Sequence, residues 1–243
     1  MSNPYFRFKQ FTVFHDKCGM KVGTDGVLLG AWADVSDIQN ITPKAKILDV
    51  GTGCGLIALM LTQRSNSYIK GIDVEQDAVN QARENFENSP WKELLTAQEI
   101  SLQDFSEATS ERFDLIVSNP PYFVNSLHNP EKKRSLARHA NSLTHEKLLF
   151  HSNKILKPTG KICVVLPAME GENIEKNADE NGLFCSKKVL VSPNSNSTPK
   201  RVLLEFSRIQ TNTAVSFMEI ETDKRKNYSE QFYSLVKDFY LDL

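Results

Sequence analysis

Four consecutive residues, Asn119-Pro120-Pro121-Tyr122, follow directly on the apolar run Phe113-Asp114-Leu115-Ile116-Val117-Ser118. An amino group conjugated to a ring or a carbonyl attacks electrophiles poorly, because its lone pair is delocalised. Two hydrogen-bond acceptors aimed at its two hydrogens favour a pyramidal nitrogen with a localised lone pair. The Asn119 side-chain oxygen and the Pro120 carbonyl can supply such a pair. The prolines stiffen the segment and remove competing N–H donors. Tyr122 offers a flat face on which an extruded base can stack. The expected chemistry is alkylation of a planar, weakly nucleophilic nitrogen, achieved by orientation and electrostatic preorganisation without a strong general base. The bland alternative is that Asn-Pro-Pro only ends a strand and starts a turn. No cysteine is placed to serve as the nucleophile of a carbon-alkylating enzyme.

A second apolar run, Lys46 to Val50, ends in Gly51-Thr52-Gly53-Cys54-Gly55. Closely spaced glycines let backbone approach a ligand, and the N-terminus of the helix that follows offers unpaired N–H groups. Asp49, just inside the turn, can hold a ligand's ammonium end directly or through water. Asp73 ends the next predicted strand, where a carboxylate can accept from both hydroxyls of a ribose. Asp104 can accept from an adenine amino group, or can be a solvated turn residue. A dinucleotide-dependent oxidoreductase would use a similar turn and acid, but it leaves Asn119 to Tyr122 unexplained. A non-catalytic RNA-binding module leaves the glycine turn and Asp73 without a task. Read together, the two motifs point to transfer of a methyl group from S-adenosylmethionine to an amino group.

The elements that must position these residues alternate. Strands are predicted at Lys46–Val50, Tyr68–Val74, Ala97–Leu102, Phe113–Ser118 and Lys161–Leu166. Helices are predicted at Leu56–Gln63, Glu75–Asn88 and Leu143–Leu156, the last stopped by Pro158-Thr159-Gly160. Phe184–Val191 and Arg201–Ile209 form a closing strand pair, and Ser229–Tyr240 a C-terminal aromatic helix. The alternation argues for an α/β fold, a mostly parallel sheet with helices on both faces and an antiparallel edge strand. One domain is expected over 1–243: an N-terminal extension at 1–45, a core at 46–209, and a tail and helix at 210–243.

The glycine turn and Asn-Pro-Pro-Tyr together resemble the class I, Rossmann-like S-adenosylmethionine-dependent methyltransferases. That resemblance implies a seven-stranded sheet and a donor site formed by Asp49, Gly51, Gly53, Gly55, Asp73 and Asp104. Catalysis would fall to Asn119, Pro120 and Tyr122. The signature is shared by enzymes that methylate adenine N6, guanine N2 and glutamine amides. The stretch Phe6-Arg7-Phe8-Lys9-Gln10-Phe11, His15 and Lys21-Val22-Gly23-Thr24-Asp25-Gly26-Val27-Leu28-Leu29-Gly30-Ala31-Trp32 is similar to the bacterial valine-tRNA adenine-37 N6-methyltransferases. So are Arg134 to His139, Pro199 to Leu204 and the aromatic C-terminus. In that family the segment matching Thr24 to Ala31 packs over the donor, so Thr24 joins the donor residues. The implied substrate is tRNA, with ribosomal guanine, DNA adenine and protein glutamine as alternatives. Amide methyltransferases of release factors carry a helical substrate domain ahead of the core, for which the first strand near Lys46 leaves no room.

Composition sets the remaining bounds. A formal net charge of −1 gives no global attraction to nucleic acid, so binding must rest on local patches. Lys132, Lys133, Arg134 and Arg138 follow the Asn-Pro-Pro-Tyr motif, where an RNA backbone would run. Lys187-Lys188, Lys200-Arg201 and Lys224-Arg225-Lys226 can widen the footprint, or form a salt-bridged surface. The spacing of Cys18, Cys54, Cys163 and Cys185 fits neither a zinc site nor a disulfide frame, and points to reduced thiols. His139, His145 and His151 lie six apart, which suits surface or packing better than catalysis or metal. No metal is expected, no obligate protein partner and no membrane segment; the N-terminus lacks a secretory signal, and a cytoplasmic location follows.

Overall fold

Eight strands build one twisted sheet in the computed structural model, which describes residues 3–41, 44–121, 143–222 and 227–242. A small antiparallel hairpin comes first, β1 (Tyr5–Arg7) and β2 (Thr12–Phe14), followed by helices α1 (Thr24–Trp32) and α2 (Ser36–Ile41). The alternating core then runs β3 (Lys46–Val50), α3 (Leu56–Ser65), β4 (Tyr68–Asp73), α4 (Gln76–Glu87), β5 (Leu95–Glu99), α5 (Leu102–Ala108) and β6 (Phe113–Ser118). After the segment outside the described residues come α6 (His145–Ile155), β7 (Leu156–Pro167), α7 (Gly171–Glu180), β8 (Phe184–Ser192), β9 (Arg201–Ser207), β10 (Ala214–Glu219) and α8 (Glu230–Val236).

The strand order is β10-β8-β9-β7-β6-β3-β4-β5. From β5 to β7 the strands are parallel, β9 runs antiparallel between β7 and β8, and β10 pairs in parallel with β8. The glycine turn at the end of β3 thus lies in the parallel half, where the carboxyl ends of all strands share one edge. Alternate residues of the central strands serve opposite faces. Ile47, Leu115 and Val117 meet α1, α3 and α8 on one side, while Leu48, Val50 and Ile116 meet α5, α6 and α7 on the other. Such two-sided burial is why these strands read as near-continuous apolar runs.

Three local expectations shift. The sheet has eight strands where seven were expected, and its antiparallel strand β9 is interior, the edge being taken by β10. The third parallel strand ends at Glu99, not Leu102, because the Ser101 hydroxyl caps α5 by accepting from the Asp104 N–H at 3.0 Å. The strand expected at Lys161–Leu166 begins at Leu156, and Pro158-Thr159-Gly160 lie within it, at a bulge in its pairing with β6. Phe113 pairs with Leu156 but Leu115 pairs with Lys161.

Candidate active site

Register brings the two motifs together. On one side of β3, Val50 pairs with Ser118; on the other, Val50 pairs with Ile72. Gly51 therefore leaves the sheet between Asn119 and Asp73. The Ser118 hydroxyl donates to the Val50 carbonyl at 2.9 Å and ties the two strand ends to each other. Asn119 is half-buried and Pro120 buried. Tyr122, the third residue expected to act on the acceptor, lies outside the described residues, as do Lys132, Lys133, Arg134, Arg138, His139 and Lys224 to Lys226.

The turn is held from Asp73. Gly51 and Thr52 N–H groups donate to the Ile72 carbonyl at 2.9 and 3.0 Å, and Gly53 N–H donates to Asp73 Oδ2 at 2.9 Å. Gly51, Gly53 and Gly55 all have positive φ, at 71°, 54° and 81°. A Cβ at Gly51 or Gly53 would meet no atom within 4 Å, so the backbone there faces open space. Gly55 N-caps α3, and a Cβ on it would strike Phe86 at 2.4 Å. The turn is thus an open cradle of backbone next to a helix N-terminus, with the Asp73 carboxylate at its rim.

Asp49 lies beneath the cradle with no solvent exposure. Its Oδ2 accepts from the Thr52 hydroxyl at 2.7 Å, while Oδ1 is buried with no hydrogen-bond partner. Burial pushes its carboxyl up to about 7, against the Thr52 hydroxyl and the Ala58 N–H, which act the other way. A buried carboxylate oxygen without a donor is a costly feature that a cationic or N–H-bearing ligand would relieve. Asp104 is exposed in the first turn of α5, where its Oδ2 accepts from Ser101 Oγ at 2.6 Å. The structure thus gives it a capping role in addition to the ligand contact expected of it.

Several residues at this edge were not singled out from the sequence as site residues. Asn85, buried on α4, accepts from Phe14 N–H at 2.9 Å and donates to the carbonyls of Phe14 and Cys54, each at 2.8 Å. It fastens the N-terminal hairpin to the glycine turn. Asn119 Nδ2 donates to Met20 Sδ at 3.8 Å. His15, also buried, accepts at Nδ1 from Val22 N–H at 3.4 Å and faces the Asn3 carbonyl at 2.9 Å through Nε2. Thr24, expected from the sequence among the donor residues, is exposed at the start of α1. No local spacing announces these contacts, because each joins residues far apart in the chain. Three basic side chains that could have widened an RNA footprint are engaged in ion pairs: Lys187 with Asp34, Lys188 with Glu175 and Arg201 with Asp25, at 3.2, 2.7 and 2.8 Å. His145 lies 3.1 Å from Glu170, and His151 Nδ1 is 2.7 Å from Ser106 Oγ.

The methyltransferase small domain profile matches residues 30–174 of this sequence. The chain belongs to that methyltransferase family. This methyltransferase is 47% identical to the tRNA1(Val) (adenine(37)-N6)-methyltransferase of Parabacteroides distasonis, with all of both chains covered. It is 42% identical to the enzyme of the same name from Photorhabdus laumondii, over 97% of this chain and 95% of that one. Among solved structures, a predicted O-methyltransferase of Agrobacterium tumefaciens aligns with a TM-score of 0.65 at 16% identity, over 88% of this chain and 96% of that one. A glycopeptide N-methyltransferase complexed with S-adenosyl-L-methionine aligns at 0.54 and 11% identity, over 78% of this chain and all of that one. Identities this low establish a shared methyltransferase fold and nothing of the substrate.

Proposed function

We propose that this methyltransferase moves the methyl group of S-adenosylmethionine to the exocyclic N6 of an adenosine in tRNA, the adenosine at position 37 of valine tRNA named for its relatives. The observation that carries the reading is the adjacency of Asn119-Pro120 and the glycine cradle at neighbouring strand ends. Identity to the tRNA-modifying relatives over the full chain supports the choice of acceptor.

S-adenosylmethionine supplies a methyl group on a cationic sulfur, so the acceptor needs exposure of a lone pair more than removal of a proton. The Asn119 side-chain oxygen and the Pro120 carbonyl accept from the two amino hydrogens and hold the nitrogen pyramidal. Tyr122 stacks on the extruded base, and Lys132, Lys133, Arg134 and Arg138 contact the RNA backbone. The open backbone at Gly51 and Gly53 admits the donor, with Gly55 starting the helix behind it. Asp73 accepts from the ribose hydroxyls, Asp49 faces the ammonium end, and Asp104 and Thr24 complete the donor's surroundings. The buried orphan oxygen of Asp49 and the cradle that a Cβ would meet unopposed both fit a ligand of this kind.

The test is transfer of label from tritiated S-adenosylmethionine to total tRNA lacking this modification, followed by nucleoside digestion and chromatography. Label co-migrating with N6-methyladenosine is the expected result. Label absent from tRNA while the donor still binds would overturn the acceptor assignment and redirect it to ribosomal RNA, DNA or release factors.

A further inference from the structure

Residues 14–25 run from α4, past the end of β6, to the start of β9. At one side the Phe14 backbone is held by Asn85 on α4, and Lys17 reaches Glu84 at 2.6 Å. Midway, Met20 meets Asn119. At the far side both carboxylate oxygens of Asp25 accept from Arg201 Nε, at 2.8 and 2.9 Å, with both side chains half-buried. Arg201 opens β9 opposite Pro167, the last residue of β7. Between Met20 and Asp25 the chain has no regular secondary structure until α1 begins at Thr24. Its place therefore depends on its anchors. Gly26, one residue after Asp25, approaches α3 so closely that a Cβ would come within 3.0 Å of Leu56 Cδ2. Leu56 is the first residue of α3, so the first turn of α1 abuts the helix N-terminus to which the glycine turn leads.

We propose that Asp25 and Arg201 are a positioning pair for the donor. Their ion pair fixes the strap from Met20 to Thr24 against the glycine turn, and so sets donor affinity through a contact that neither residue makes with the donor. The inference rests on the reading that the cradle takes S-adenosylmethionine; it does not depend on which nucleotide is methylated. A charge-assisted, half-buried contact of this geometry holds a segment more firmly than an exposed pair would.

The test uses the full chain with Asp25→Asn, Arg201→Gln and the reversed pair Asp25→Arg with Arg201→Asp. Donor Kd is measured by calorimetry, and kcat and the KM for tRNA by methyl transfer. Each single change is expected to weaken donor binding about tenfold while kcat at saturating donor stays within about threefold, and the reversed pair to regain most of the affinity. Unchanged donor affinity in the single variants overturns the proposal. So does a reversed pair as weak as the singles. If Arg201→Gln does not fold, Asp25→Asn, which removes charge and keeps shape, decides alone. Wild-type protein that binds donor but methylates no tRNA would refute the acceptor assignment and leave this measurement intact. Wild-type protein that binds no donor removes both readings.

Discussion

Asp49 is held near its titration point by burial, and this has two consequences of opposite sign. Its folded carboxyl titrates at about 7 against an ordinary 3.8, so the folded state binds the proton more tightly. The stability it contributes is complete below the ordinary value and is lost as pH rises through about 7. Donor binding is expected to run the other way, because the ammonium end proposed to face Asp49 favours the carboxylate. Donor affinity is expected to rise by up to about tenfold per pH unit as pH approaches 7 from below, and to fall again above about 8, where an α-amino group loses its proton. Calorimetry in buffers of different ionisation heat should detect the released proton. A pH-independent affinity in wild-type protein, or the same slope in Asp49→Asn, would place the ammonium elsewhere. Asn119→Ala is expected to keep donor affinity and lose roughly 100-fold or more in turnover, comparable to removing an oxyanion-hole donor. Near-wild-type kcat would remove the lone-pair argument. Asp73→Ala removes the acceptor of the Gly53 and Glu75 amides as well as the contact proposed for the donor ribose. Its expected signature is weakened donor binding; unchanged affinity would put the ribose contact elsewhere.

Among the elements, α4 does more than cover the sheet. Its Asn85 satisfies the Phe14 amide, the Phe14 carbonyl and the Cys54 carbonyl within one buried side chain. Asn85→Ala is expected to cost about 2–3 kcal/mol by chemical denaturation, since buried backbone groups then lack partners. A loss under about 0.5 kcal/mol would mean that water replaces the amide. This contact also marks how far the sequence could be read. β3 and β6 were legible because both faces are buried, leaving short near-continuous apolar runs, each interrupted by one aspartate and bounded by a glycine turn or by prolines. α4 was legible from the 3.6-residue recurrence of Ala78, Val79, Ala82 and Phe86. α1 escaped prediction as a helix because Gly26 to Ala31 are all buried, which erases any periodicity. β10 escaped for a different reason: Ala214 to Phe217 are exposed, Val215 and Phe217 included, with Met218 packing against the core, so no buried apolar run marks it. In the site, the glycines, Asp49, Asp73 and Asn119 announced themselves through local spacing. Asn85, Met20 and the Asp25–Arg201 pair did not, since each acts on a residue in a different element.

At the scale of the whole molecule, a net charge of −1 means that tRNA must be held by a local field. Lys187, Lys188 and Arg201 are already committed to acidic partners, and Lys132, Lys133, Arg134 and Arg138, which follow the Asn-Pro-Pro-Tyr motif, are the proposed phosphate contacts. Replacing all four by alanine is expected to reduce the slope of log K against log salt by roughly 3, with donor affinity unchanged. An unaltered slope would remove these residues from the RNA footprint. The strap over the strand ends has a consequence of another kind, in the order of events during synthesis. Its anchors join residues separated by 71, 99 and 176 positions: Phe14 to Asn85, Met20 to Asn119 and Asp25 to Arg201. A chain leaving the ribosome from its N-terminus presents the strap before any of these partners has been made. The glycine turn and its first helices can assemble early from neighbouring segments, but the strap gains its last hold only once β9 has emerged. A nascent chain that stops short of β9 therefore carries every donor-contacting residue proposed here and still lacks the fastening that keeps them together.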